Sequence, residues 1–331
     1  MLSGGRVDAV VLNSGGANAC TGPEGFADAH HTAEHTAAEL GHTGLQIGAV
    51  DVAVCSTGLI GVRLPMDKLT AGVTAAAKEL SGDGGDAAAR AIMTTDTVPK
   101  TTVQQRDGWS VGGMAKGAGM LAPSLATMLV VLTTDAAVEA GVLQAALERA
   151  TAVSFERVDS DGCLSTNDTV VAMANGASGT TPTQEQLTEA LTAACTDLAM
   201  QLLADAEGST KDIAITVRGA ATVADALTAG RACARNNLLK TALFGNDPNW
   251  GRVLAAIGTT DAAFEPDRVD VAINGVTVCR GGAIGDPRER VDLTGRAITI
   301  DVDLRAGTEQ ATIWTNDLSI AYVHENSAYS S

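Results

Sequence analysis

Val269-Asp-Val-Ala-Ile-Asn-Gly-Val-Thr-Val-Cys279 decides the fold class. Apolar residues alternate with polar ones on both sides of Asn274-Gly275, the dipeptide that most readily takes the positive φ angles of a tight hairpin turn. An antiparallel hairpin in the middle of the second half excludes a purely parallel, doubly wound sheet. Working outward, Ala297 to Leu304 and Gln310 to Trp314 alternate in the same way, and Asp212 to Val217 reads as another strand. Helical patterns interrupt these strands. The clearest starts at Thr181, with Pro182 in its first turn, Gln184 three residues on as in a capping box, and Leu187, Leu191, Ala194, Leu198 and Leu202 on one face. Thr222 to Asn236 reads as a further helix. Strands and helices in mixed order, some strands paired by hairpins, predict α+β layers.

The first half continues the mixture. Val7 to Leu12 reads as a buried strand running into the turn-rich Asn13-Ser-Gly-Gly16, and Asp51 to Cys55 as a strand ending in a turn at Ser56-Thr57-Gly58. Phe26, Ala29, Ala33, Ala37 and Leu40 recur at helical spacing, and Met66 to Leu80 reads as helix after Pro65. Thr101 to Val111 mixes β-branched and polar residues as strands of a half-exposed sheet do. From Gly112 to Leu132 the chain is rich in Gly and Met and then strongly apolar, with Thr127 a hydroxyl inside the apolar run.

Composition narrows the functional classes. The chain has 331 residues, enough for a large core without disulfides or metals, and aromatic residues are only 3%, so that core is built from Ala, Val, Leu and Ile. A net charge of −17 repels phosphate backbones and argues against nucleic acid or an anionic membrane surface as a partner. Met1 to Leu12 lacks the pattern of a signal peptide, and the apolar stretch Met128 to Leu132 is too short to span a bilayer. Six scattered cysteines without a C-x-x-C pair read as reduced thiols of a cytoplasmic protein.

Individual motifs, taken alone, favour their structural readings. His31-Thr-Ala-Glu34-His35 matches H-x-x-E-H, which would put two imidazoles on one helix face, but no third ligand is evident and no metal is expected. Gly112-Gly113-Met-Ala-Lys116-Gly117-Ala-Gly119 fits no nucleotide-binding pattern, although a loop there would bring Lys116 to a small anionic ligand. Thr57-Gly58 reads as a turn first, and as a hydroxyl and N–H pair for an oxyanion second. Thr127 reads as a core threonine bonded to its own backbone.

Read as an ordered set, other blocks are more specific. They are Asn13-Ser-Gly-Gly-Ala-Asn-Ala-Cys20, Cys55-Ser-Thr-Gly-Leu-Ile-Gly61, Met93-Thr-Thr-Asp96, Lys116-Gly-Ala-Gly-Met120 and Pro123-Ser-Leu-Ala-Thr-Met128. Ser165-Thr-Asn-Asp168, Asp205-Ala-Glu-Gly208, Gly245-Asn-Asp-Pro-Asn-Trp-Gly-Arg252 and Glu325-Asn-Ser-Ala-Tyr-Ser-Ser331 follow. In this order, across the whole chain, they resemble the ornithine acetyltransferase family, also called glutamate N-acetyltransferase.

The resemblance implies a layered fold of the N-terminal-nucleophile type, formed from a precursor that cuts itself between Ala126 and Thr127 into chains 1–126 and 127–331. The freed α-amine of Thr127, with an ordinary pKa of roughly 7.7–8.0, would serve as base for its own hydroxyl. The implied reaction is ping-pong: Thr127 takes acetyl from N2-acetylornithine, and L-glutamate takes it from Thr127. The match implies Thr57 and Gly58 as the oxyanion pair. It also implies Thr94, Lys116, Glu207, Asn326 and Ser331 as substrate contacts alongside Thr127, with Lys116 suited to a carboxylate and Glu207 to an ammonium.

No cofactor is implied, with acetyl-CoA entering as an additional donor, and the two chains are expected to pair as a heterotetramer. Members of the family carry further strands ahead of the block matching Val7 to Leu12, so the resemblance implies roughly sixty residues fewer here, comparable to a small sheet. A self-processing amidohydrolase or aminopeptidase, or a catalytically silent shortened subunit, are the alternatives. Glutamate-dependent turnover and self-cleavage separate the three.

Overall fold

The computed structural model describes residues 4–122 and 128–328. Its elements begin with β1 (Ala9–Gly16), α1 (Gly22–Gly41), β2 (Val52–Leu59), α2 (Met66–Lys78) and α3 (Gly85–Ala91). Next come β3 (Lys100–Arg106), β4 (Trp109–Lys116), β5 (Leu129–Thr134), α4 (Ala140–Ala152), β6 (Thr169–Ala174) and α5 (Gln184–Ala204). The remainder is β7 (Asp212–Ala220), α6 (Val223–Ala234), α7 (Asn237–Phe244), α8 (Trp250–Ile257), β8 (Asp270–Ile273), β9 (Val276–Arg280), β10 (Ala283–Ile284), β11 (Ala297–Asp303), β12 (Glu309–Asn316) and α9 (Ile320–Ala328).

The strands form three sheets. β1 and β2 run parallel as a pair; β3-β4-β5-β6 form a mixed sheet; and β10-β9-β8-β11-β7-β12 form a larger one. The hairpin at Asn274-Gly275 is present, with φ of 44° and 78° at the two turn residues and Ile273 facing Val276. These are the angles a primed hairpin turn requires. The α+β class expected from the sequence is the class observed.

Each large sheet has its own core. In the four-stranded sheet, β5 is buried on both faces, and Val130 and Leu132 pack with Leu187, Leu191, Leu198 and Leu202 of α5 and with Leu143 and Leu147 of α4. In the six-stranded sheet, Ile213, Ile215 and Val217 of β7 and Ile298, Ile300 and Val302 of β11 pack against Ala226, Ala229, Cys233 and Val253 of α6 and α8. With so few aromatics, both cores rely on small side chains and close approach.

Four readings differ from the structure. Asn13-Ser-Gly-Gly16 is not a turn but the second half of β1, paired with β2. The α5 helix starts two residues later than expected: Thr183 is its N-cap, its hydroxyl accepting from Gln186 N–H while Gln186 Oε1 accepts from Thr183 N–H. The capping box is therefore real but lies one hydroxyl residue downstream, because a hydroxyl three residues before Gln186 can be reached by the amide and that of Thr181 cannot. Thr57 and Gly58 are not a turn: β2 continues to Leu59, in register with Ser14 and Gly15 of β1. Gly112 to Lys116 is not a loop either but the second half of β4, paired with both β3 and β5. Cross-strand pairing overrides the low strand propensity of glycine there. Gly113 lies where a Cβ would stand 2.6 Å from Leu132 Cδ2, so the small residue lets strand and core meet.

Candidate functional site

The ends of β2 and β4 converge. Lys116, the last residue of β4, is 1% exposed, and its Nζ donates to Thr94 Oγ1 at 2.8 Å and to Thr57 Oγ1 at 3.2 Å. Thr57 is buried and Thr94 exposed, so the ammonium lies beneath two hydroxyls at the border of core and surface. The neighbouring Gly58 has φ of +126°, and a Cβ there would fall 2.6 Å from the Gly15 carbonyl carbon and 2.7 Å from Gly16 N. Only glycine permits both the angle and the approach of β1.

Behind Lys116 runs an alternating chain of charge. Asp96 Oδ1 accepts from Lys100 Nζ and from Gly117 N–H, each at 2.7 Å; Asp96 Oδ2 accepts from Thr94 N–H at 3.1 Å and lies 3.9 Å from Lys116 Nζ. Lys100 is fully buried and also donates to Asp205 Oδ2 at 2.6 Å. Asp205, just past α5, accepts in addition from the N–H and hydroxyl of Thr97. Burying four charges is tolerable only when they are paired and hydrogen-bonded; here Asp96, Lys100 and Asp205 are tied together directly, while Lys116 rests on two hydroxyls with Asp96 at 3.9 Å. Burial pushes the Lys116 ammonium below its ordinary pKa despite the opposing pull of Asp96. Burial pushes the Asp96 carboxyl up, but the Gly117 N–H and Lys100 outweigh it and hold it below the usual range.

Glu207 approaches the same region from the segment after α5. Its N–H donates to Ala118 O at 2.9 Å, and its carboxylate lies against Gly119, where a Cβ would come within 2.7–2.8 Å of the carboxylate atoms. Glu207 is half-buried and lies beyond the helix end at Ala204. Asp168 comes from the strand side. Its Oδ1 accepts from Met128 N–H at 2.8 Å, Oδ2 is buried with no hydrogen-bond partner among the described residues, and burial raises its pKa to about 7. Both carboxylates act on Lys116 through their charge.

The structure thus brings together Thr57, Gly58, Thr94 and Lys116, with Glu207 beside them. Asn326 lies on α9, exposed, its amide donating to Tyr322 O at 3.0 Å. That helix abuts Gly208, the residue after Glu207, because Ser319 Oγ donates to Gly208 O. Ala126, Thr127 and Ser331 lie outside the described residues, as does the boundary expected between chains 1–126 and 127–331. In the H-x-x-E-H stretch, His35 Nε2 stands 3.0 Å from both Thr70 O and Thr74 Oγ1, which makes it a contact between α1 and α2.

Sequence reading assigned no role to Asp96, Lys100, Asp205 or Asp168. Three of the four stand inside the blocks quoted above, at the last position of Met93–Asp96, the first of Asp205–Gly208 and the last of Ser165–Asp168. An acidic residue closing or opening such a block was the available signal.

The ArgJ family matches residues 1–331. The arginine biosynthesis bifunctional protein ArgJ of Streptomyces coelicolor is 64% identical over 331 residues, spanning 100% of this chain and 85% of that protein. That of Mycobacterium leprae is 62% identical over 335 residues, spanning 100% and 82%. A crystal structure of the arginine biosynthesis bifunctional protein ArgJ from Bacillus halodurans superimposes with a TM-score of 0.57 at 34% identity, covering 61% of this chain and 98% of that one. The chain belongs to the ArgJ family, the bifunctional acetyltransferases of arginine biosynthesis.

Proposed function

We propose that this acetyltransferase moves acetyl from N2-acetylornithine to L-glutamate through an acetyl ester on Thr127, after self-cleavage between Ala126 and Thr127. The observation that carries the assignment of the site is the buried Lys116 ammonium held between the hydroxyls of Thr57 and Thr94. A cation and two oriented hydroxyls at a strand end suit a substrate with one carboxylate and one carbonyl whose oxygen becomes negative in the transition state.

The roles then divide by charge. Lys116 and Thr94 take the α-carboxylate common to both amino acids, and Glu207 takes the side-chain ammonium of N2-acetylornithine. Thr57 and the Gly58 N–H face the reacting carbonyl oxygen. Thr127 supplies the nucleophile, and its freed α-amine, with an ordinary pKa of roughly 7.7–8.0, removes the hydroxyl proton and returns it to the departing ornithine nitrogen. Asn326 and Ser331, from the C-terminal segment, complete the substrate contacts. No cofactor takes part; acetyl-CoA serves as an additional acetyl donor. Chains 1–126 and 127–331 remain associated and pair again as a heterotetramer in the cytoplasm. Among the described residues no helix is long and apolar enough to cross a membrane.

Intact-mass measurement tests this directly. The folded protein is expected to give two masses, for 1–126 and 127–331, and a further mass increment of one acetyl group on the second chain after N2-acetylornithine is added without glutamate. A single uncut mass after prolonged incubation overturns the reading. Rapid turnover without glutamate would make the protein a hydrolase.

A further inference from the structure

The direction of the hydrogen bonds at Lys116 has a chemical consequence. An ammonium donates and never accepts. Thr57 Oγ1 and Thr94 Oγ1 must therefore both be acceptors toward Lys116, at 3.2 and 2.8 Å. A threonine hydroxyl has one hydrogen, and left to itself it turns to whichever acceptor suits it, often a nearby backbone carbonyl. With the Lys116 N–H occupying the oxygen from one side, the Thr57 hydrogen points away from the ammonium. A hydroxyl that accepts from a cation is also polarised into a stronger donor.

The charges around Lys116 are arranged to keep it there. Asp96 from the segment before β3, Lys100 of β3, Asp168 before β6 and Glu207 after α5 all act on it, and among described carboxylates only Asp96 comes within 4.0 Å. Asp96 does not capture the ammonium, because its own strong contacts go to Lys100 and Gly117 at 2.7 Å. Lys100 is in turn tethered by Asp205. A direct Asp96–Lys116 ion pair would draw Nζ off the hydroxyls; at 3.9 Å the carboxylate favours the charge without taking the donors.

Resting on the reading of Thr57 as oxyanion donor, we propose that Lys116 is also a positioning residue, which aims the Thr57 hydroxyl at the reacting carbonyl oxygen, and that Asp96 holds Lys116 to this task. Substrate binding and the setting of the donor thus share one ammonium.

The test is a double-mutant cycle on the processed protein, following the acetylation half-reaction with N2-acetylornithine at several pH values. Thr57→Ala alone examines the underlying reading: it is expected to lower the rate on the order of 10²–10³-fold, the cost of one oxyanion donor, and a wild-type rate would remove Thr57 and the reading with it. Asp96→Asn examines the proposal. It is expected to lower the acetylation rate on the order of 10-fold or more with a smaller change in KM, since the donor is misdirected rather than deleted. It also moves the alkaline limb of the pH profile to lower pH, because Lys116 loses the carboxylate that favours its charged form.

In the Thr57→Ala background, Asp96→Asn should cost little more, as there is no hydroxyl left to aim. A loss that multiplies fully in the double variant, or an alkaline limb that stays in place, overturns the proposal and leaves Asp96 a structural residue. If Asp96→Asn does not fold, Asp205→Asn is measured in the same cycle. It frees Lys100 to compete for Asp96, and the same non-additivity with a smaller pH displacement is expected; full additivity there overturns the proposal equally.

Discussion

Among the described residues Lys100, Lys116, Lys211 and Lys240 are buried, and the surroundings of Lys116 and Lys240 differ. Lys240 of α7 donates to the carbonyls of Ser160 and Asn316 and to Thr315 Oγ1, joining α7 to β12 and to the segment after α4. Burial lowers its pKa to about 8. Its three N–H groups meet three acceptors, so it has no donor left to offer a ligand. Lys116 meets two hydroxyls, has a carboxylate 3.9 Å away, and has no acceptor for its third N–H within hydrogen-bond distance among the described residues. Equal burial therefore does not mean equal purpose. A lysine saturated by backbone carbonyls is a staple, whereas one held by hydroxyls at the edge of the core keeps capacity for a charge that arrives later.

The two lysines should part most clearly under Lys→Met exchange. Lys116→Met should depress both half-reactions by about 10²–10³-fold, since it removes a carboxylate partner and the group that directs Thr57. Its folding stability should change by less than about 1 kcal/mol, because Asp96 keeps Lys100 and an apolar side chain is well tolerated in place of a buried ion. Lys240→Met should do the reverse. It strands buried carbonyl acceptors, a cost on the order of 3 kcal/mol, while the folded fraction turns over at nearly the wild-type rate. Single-turnover rates and denaturant midpoints of both variants decide the matter. If Lys240→Met abolishes turnover in fully folded protein, the division between staple and site fails.

Glu207 sharpens the chemical side of the contrast. Glutamate presents a carboxylate where N2-acetylornithine presents an ammonium, so Glu207→Gln should slow acetyl uptake by roughly tenfold, a part of the loss typical of a broken interfacial charge pair, and delivery to glutamate much less. Equal losses in the two half-reactions would show that its carboxylate serves the backbone around Gly119 and not the substrate.

How much of this was legible beforehand follows from what each feature depends on. The Asn274-Gly275 hairpin could be read because a turn is a local event with its own residue chemistry. The α5 stripe could be read because helical periodicity survives without knowledge of its partner, although Thr181 and Thr183 are equally good hydroxyls on paper and only the packed helix chose between them. The strand character of Thr57-Gly58 and of Gly112-Gly113 was hidden, since glycine carries no strand signal and the pairing that holds it comes from Gly15 and from Leu132. At the site, Thr57, Thr94, Lys116 and Glu207 were reached through resemblance. The chain Asp205–Lys100–Asp96 was not, because its members lie as far as 109 positions apart, the difference between 205 and 96, and spacing reveals nothing about such a contact.

Asp168 offers the smallest effect and the finest test of how this end of the molecule carries charge. Its folded pKa of about 7 lies above the ordinary value of about 3.9, so between those limits the native state keeps a proton that the unfolded chain has released. The corresponding stabilisation is complete below pH 4 and is lost as pH rises through 7. Asn at this position keeps an oxygen for the Met128 N–H and cannot ionise. At pH 5 the acid and the amide should therefore be nearly equivalent, since neither carries a charge in the folded state there. At pH 8 the wild-type protein must hold a carboxylate that burial disfavours, and Asp168→Asn should gain on it by roughly 2 °C in Tm, about the shift that 1 kcal/mol produces in a large domain. The measurement is the difference in Tm between the two proteins across that pH range. If the difference instead grows in favour of wild type as pH rises, the attraction of Lys116 for the Asp168 charge exceeds the cost of burying it. Lys116 would then be paired on two sides, and the spare capacity that distinguishes it from Lys240 would be smaller than its hydrogen bonds suggest.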